Sequence, residues 1–175
     1  MMKRVLLFLL VCALSPAWTD AQPVIEKQGS KKVPFTFVQI ADPQLGFCDK
    51  GQDWQWTVDN LKATVARVND LKPAFVIVTG DLIHNYKSSQ QAQAYMENIR
   101  RIDASIPVFH LPGNHDMPKY AAAAVAKYRE AFGYDRFAFT YNGSAFIGLN
   151  SNTMVCPRRC PRPVGMVRAA VEAIP

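Results

Sequence analysis

Hydrophobic positions along this chain fall into two periods. Short apolar runs at Phe35-Thr36-Phe37-Val38-Gln39-Ile40, Phe75-Val76-Ile77-Val78 and Ile106-Pro107-Val108-Phe109-His110 predict strands. The second is apolar throughout, which suits a parallel strand covered on both faces. Between them the period lengthens. Trp54, Val58, Leu61, Val65 and Val68 follow at helical spacing and predict an amphipathic helix over 53–70, with Asp53 as its N-cap. Ser88 or Ser89 caps a second helix through Arg101, which turns Ala92, Met96, Ile99 and Ile102 inward. An alanine-rich third helix runs from Tyr120 to Phe132 and is closed by Gly133. Phe137 to Tyr141 and Ala145 to Leu149 then flank Asn142-Gly143, the signal for a hairpin with a type I′ turn. This alternation predicts an α/β fold, a mostly parallel sheet with helices against it, followed by the start of a second, antiparallel sheet. After Asn150 the pattern dissolves into prolines and arginines, with at most a short helix at Val164 to Ala173.

The two ends are set apart from that frame. Lys3 and Arg4 precede an apolar stretch from Val5 to Leu14, and Thr19-Asp20-Ala21 offers a small-residue cleavage site. That stretch is too short for a bilayer, which needs about 20 apolar residues. Residues 1–21 are therefore expected to be a signal peptide, with no stable membrane anchor, and the mature chain to be secreted or periplasmic. Residues 22–33 read as a linker, 34–152 as the folded domain and 153–175 as an irregular Pro/Arg/Cys-rich tail. Export leaves Cys48, Cys156 and Cys160, of which two are expected to pair, although the sequence does not say which.

The 49% hydrophobic and 19% charged composition over 175 residues fits one globular domain. A net charge of +6 is concentrated in Arg158, Arg159, Arg162 and Arg168. That basic end suits phosphate-bearing molecules or simple solvation, and no nucleic-acid motif accompanies it. Oligomeric state is not legible.

The chemistry gathers at strand ends. Asp42 with Gln44, Asp81 with His84, and Asn114 with His115 and Asp116 each follow a predicted strand, where open α/β sheets place their ligands. Taken singly, Asp42 before a proline and Gly80-Asp81 are ordinary turn residues, and His84 reads as a loop cap. Taken together, three sets in register bring carboxylates close enough to repel unless a cation neutralises them. Asp, Asn and Gln oxygens with imidazole nitrogen suit Mn, Fe or Zn. Two such ions about 4 Å apart, with Asp81 between them, can activate water and stabilise a phosphoryl displacement.

Asp42-Pro43-Gln44, Gly80-Asp81-Leu82-Ile83-His84 and Gly113-Asn114-His115-Asp116 resemble the first three motif blocks of the calcineurin-like metallophosphoesterases, over about Phe35 to Asn150. The Asp-Pro-Gln form is similar to the branch that includes protein serine/threonine phosphatases. The resemblance implies the N-terminal part of an α/β/β/α sandwich and a centre of two divalent metal ions (Mn, Fe or Zn). Asp42 and Gln44 would serve one ion, Asp81 would bridge and Asn114 would serve the other. His115 would act as general acid or stabilise the transition state, oriented by Asp116. The implied substrate is a phosphate ester: a phosphoprotein, a nucleotide or a sugar phosphate. Gln44 stands where most of the superfamily has histidine. The family's further ligands, a lone histidine and then a Gly-His-x-His pair, have no counterpart, since His84, His110 and His115 are the only histidines. The expectation is a chain that stops before half the metal shell, through a frameshift or an early stop, so that a non-catalytic fragment is the alternative to a phosphoesterase.

Overall fold

The computed structural model describes residues 33–47, 53–118 and 122–153. The expected signal peptide, most of the linker, Cys48 and the tail with its short helix lie outside these residues.

Three parallel strands, β1 (Val38–Ala41), β2 (Val76–Thr79) and β3 (Val108–Leu111), form a sheet in the order β1-β2-β3. Their register aligns Ala41, Thr79 and Leu111, so all three strands end at one level. The strand β1 starts three residues later than the apolar run suggests. Phe35 and Phe37 pack as aromatic rings against Phe75 instead, with centroids 6.1 and 5.2 Å away. A hairpin of β4 (Phe137–Tyr141) and β5 (Ser144–Gly148) makes the second, antiparallel sheet. Asn142 and Gly143 both have positive φ there, as a type I′ turn requires.

Helix α1 (Gln55–Leu71) joins β1 to β2, α2 (Ser89–Ile99) joins β2 to β3, and α3 (Ala122–Phe132) precedes the hairpin. Asp53 is not the N-cap of α1. Trp54 holds that position, and the Asp53 carboxylate accepts from the Gln55 N–H at 2.9 Å. For α2 the cap is Ser88, whose hydroxyl accepts from Gln91 N–H. Residues 119–121 lie outside the description of α3. Among the described residues no helix is long and apolar enough to cross a membrane.

Strand alternation divides the core. Val76, Val78 and Val108 point to the side of the three helices and join Leu61, Val65, Tyr95, Ile99 and Tyr128. Phe75 and Phe109 point the other way, into a cluster with Tyr134, Phe137 and Phe139 of the hairpin side. Phe109 stacks on Phe139 at 4.2 Å, and Phe75 meets Phe146 edge-on at 4.8 Å. A buried carboxylate, Asp135, fastens the hairpin to α3. It accepts from Arg129 at 2.7 Å and from Asn150 Nδ2 at 3.0 Å, so its charge is compensated.

His110 is buried on the helix side of β3, with Nδ1 2.9 Å from the Tyr95 hydroxyl. Burial lowers its pKa from 6.5 to about 4. The folded chain therefore holds His110 neutral where the unfolded chain binds a proton. Its contribution to stability is complete above pH 6.5 and is lost as pH falls towards 4, by up to about 3 kcal/mol. Urea unfolding across that range is expected to show a steeper pH slope for the wild type than for His110→Phe. Parallel slopes would contradict the assignment.

Candidate active site

Because the three strands end level, the loops that leave them start side by side. Asp42 follows β1 directly, Asp81 follows β2 after Gly80, and Asn114 follows β3 after Pro112-Gly113. The first loop is laced to the second by backbone bonds from Gln44 N to Asp81 O (2.8 Å), Leu45 N to Leu82 O (3.1 Å) and His84 N to Leu45 O (2.9 Å). Asp42, Gln44 and Asp81 all have positive φ, between 40° and 50°. Non-glycine residues adopt that conformation at an energetic cost, and such strain concentrates at functional sites.

Two glycines let the second and third loops touch. A Cβ on Gly113 would overlap the Asp81 carboxylate and backbone N, and one on Gly80 would stand 3.0 Å from Gly113 Cα. Through this contact the loops exchange hydrogen bonds. Asp81 Oδ1 accepts from His115 N at 2.8 Å. In return, Asp116 accepts from Leu82 N (3.0 Å), Ile83 N (2.9 Å) and Gly113 N (2.8 Å). Residues 113–117 close a single turn, with Met117 N donating to Gly113 O. Asp116 reaching back to Gly113 N–H repeats half of a capping box, and the spacing of three residues was the sequence signal for it.

This geometry corrects the role expected of Asp116. Its carboxylate lies on backbone amides, and the partner of the His115 ring is the carbonyl of His84, 2.9 Å from Nδ1. A carbonyl only accepts, so Nδ1 carries a proton and Nε2 is the ring nitrogen left for chemistry. His84 likewise does more than end a loop. Its ring stacks on that of His115 at 4.8 Å, and its Nδ1 lies 3.5 Å from Gln44 Nε2.

Asp42, Asp81 and Asn114 meet on one cleft of about 300 Å³, walled also by Ser151 and Asn152. Gln44 does not line it and faces a neighbouring hollow that shares Asp42. Asn152 was missed as a site residue. Its amide donates to Gly113 O at 3.0 Å and so braces the third loop from the hairpin side. The run Asn150-Ser151-Asn152, polar and immediately past a predicted strand, was the available hint.

Electrostatics mark the cleft. Asp42 is raised above its ordinary pKa by desolvation and then by the Asp81 carboxylate, while the His115 charge pulls the other way. Desolvation lifts Asp116 to about 6, against the three amides that favour its charge. Adjacent carboxylates beside amide oxygens are a donor set that fits a divalent cation, which would relieve their repulsion. Among the described residues that line the cleft, Asp42 and Asp81 supply the carboxylates and Asn114 an amide oxygen.

A family model described as "Calcineurin-like phosphoesterase" matches residues 35–159. "Serine/threonine-protein phosphatase CPPED1" of Homo sapiens is 33% identical over 152 residues, covering 78% of this chain and 48% of that protein. Its counterpart in Pongo abelii is 34% identical over 158 residues, 81% of this chain and 50% of the relative. "Uncharacterized metallophosphoesterase YkuE" of Bacillus subtilis (strain 168) is 30% identical over 100 residues, 57% and 32%. The chain spans about half the length of the phosphatase relatives it matches.

Removing the Asp116 carboxylate would leave three amides without their acceptor, two of them on the fully buried or nearly buried Leu82 and Ile83. Asp116→Ala is expected to lower stability by about 3–5 kcal/mol, and Asp116→Asn by less. Urea titration measures this. A loss below about 1 kcal/mol for Asp116→Ala would show that the carboxylate does not hold the loops together.

Proposed function

The chain belongs to the calcineurin-like phosphoesterase family, and from that premise we propose that it is an exported, metal-dependent hydrolase of phosphate esters. One observation carries the reading: Asp42, Asp81 and Asn114 share a cleft, with His115 hydrogen-bonded to Asp81 beside it. The phosphatase and metallophosphoesterase names of the relatives support the same reaction class.

In this reading Asp42, Asp81 and Asn114 would hold the divalent ions, with Mn, Fe or Zn suited to the donors, while Gln44, expected as a further ligand, stands in the adjoining hollow beside Asp42. Such ions would supply positive charge against the carboxylates and the phosphate, and would lower the pKa of the attacking water. The protein does the positioning. Asp81 fixes the backbone of His115, and the His84 carbonyl fixes its ring with Nδ1 protonated. Nε2 then delivers a proton to the ester oxygen as it leaves phosphorus. Asn152 and Asp116 hold the Gly113 turn that carries Asn114 and His115.

The purified chain from Gln22 onward, with added manganese, is expected to hydrolyse p-nitrophenyl phosphate, and His115→Ala to lower kcat by roughly 10²–10⁴-fold. Equal rates for the two proteins would remove His115 from the reaction. A second reading, weak metal uptake without turnover, is favoured by the donors that line the cleft, two carboxylates (Asp42 and Asp81) and one amide (Asn114) among the described residues. Calorimetric titration with manganese separates the two. Two tightly bound ions per chain support the hydrolase, and no saturable uptake supports the other. Export rests on Lys3, Arg4 and the apolar stretch from Val5 to Leu14. Mass spectrometry of the protein made in its own host is expected to find a mature N-terminus near Gln22, and an intact Met1 would rule out cleavage.

A further inference from the structure

A second hollow adjoins the candidate cleft at Asp42. This one, of about 200 Å³, takes Asp42 and Gln44 as one wall and Phe47, Trp56 and Asn60 as the other. Asp42 lines both cavities, so the two adjoin at its side chain, and a molecule with its phosphate against Asp81 and Asn114 has its remaining part beside the second hollow.

The far wall is unusual in what it exposes. Phe47 is 43% and Trp56 51% accessible, two large apolar rings beside one another at the rim of a concave site. Scattered exposed apolar residues need no explanation, but a contiguous pair next to a cleft points to a ligand. Phe47 meets Trp56 edge-on at 6.3 Å and 78°, which leaves an L-shaped notch between the rings. On its inner side Phe47 meets His84 at 5.5 Å, and His84 stacks on His115. A line of four rings therefore runs from solvent to the imidazole assigned to proton transfer.

The backbone that carries Phe47 is tied to the helix that carries Trp56. Gln44 O accepts from Phe47 N at 2.9 Å, closing a tight turn in which Gly46 takes φ +96°. Gly46 N donates to Thr57 Oγ1 at 3.3 Å, and that hydroxyl donates to Trp54 O at 2.6 Å. The loop bearing Phe47 is thus fastened to the first turn of α1, which bears Trp56. Backbone fastened in this way leaves only the two side chains to be ordered when a planar group stacks on them.

We propose that Phe47 and Trp56 form a leaving-group subsite that selects phosphate esters of planar aromatic groups over aliphatic ones. This specificity rests on the phosphoesterase reading of the adjacent cleft. Hydrolysis there breaks the bond between phosphorus and the ester oxygen, water supplies the new oxygen, and the ring-bearing alcohol leaves with a proton. Aryl phosphates and nucleotides share the required ring. Asn60 offers an amide to the polar edge of a base, which an unsubstituted phenyl ring lacks.

The test uses full-length chain loaded with manganese, in a His115→Ala background that suppresses turnover. Calorimetry gives Kd for phenyl phosphate, adenosine 5′-phosphate and glycerol 2-phosphate. Trp56→Ala and Phe47→Ala, both at the surface, are each expected to weaken the two ring-bearing esters by about tenfold and leave glycerol 2-phosphate unchanged. Asn60→Ala is expected to weaken the nucleotide alone if the base edge is read, and neither ring-bearing ester if stacking suffices. Equal weakening of all three esters by the aromatic variants, or no weakening, overturns the subsite. Turnover of glycerol 2-phosphate by the chain with His115 intact is a separate measure. Its absence together with absent turnover of phenyl phosphate would count against the phosphoesterase reading, while the binding ratios decide the subsite alone.

Discussion

The fold converges on a carboxylate that binds only backbone. Asp116 accepts from Leu82, Ile83 and Gly113, and so ties the loop after β2 to the loop after β3 at the point where the sheet ends. Asp81 completes the exchange by accepting from His115 N. Each loop thus supplies the acceptor for the other, and the side chains meant for chemistry are set by main-chain bonds. The arrangement is possible only because Gly80 and Gly113 face each other, where any Cβ would push the strands apart. Charge on Asp116 is opposed by its burial, which outweighs the three amides that favour it.

Around that contact the two faces of the sheet divide the work. The helix face is aliphatic with buried tyrosines. The hairpin face is an aromatic cluster built on Phe75 and Phe109, and it brings Asn150 and Asn152 back to the third loop. The hairpin therefore does more than begin a second sheet. Through Asp135, Asn150 and Asn152 it connects the end of α3 to the turn that carries Asn114.

Strand ends with carboxylates are a common consequence of parallel topology, and what distinguishes this one is the strain gathered there. Asp42, Gln44 and Asp81 lie in the left-handed region together, each at a residue type that takes it with some penalty. The sheet register and the lacing between the first two loops hold them in place. Rigid loops of this kind suit a site that must present fixed oxygens to a cation and fixed rings to a substrate.

Much of this was legible in the order of residues. Strand and helix periods, the Asn142-Gly143 turn and three polar sets behind three apolar runs depend on local preferences, and local preferences are written in sequence. So was the family, because Gly113-Asn114-His115-Asp116 is a contiguous word. What the chain could not state was which atoms meet across it. The resemblance implies that Asp116 orients the His115 ring, yet neighbours on a tight turn point apart, and the ring meets the carbonyl of His84 thirty-one residues away. The aromatic notch has the same origin: Phe47 and Trp56 come from separate elements and face each other only because Thr57 fastens one to the other. Sequence determined which elements form and which chemistry they carry. Tertiary structure alone decided the partners, since those depend on strand register and on how closely two glycine-bearing loops can approach.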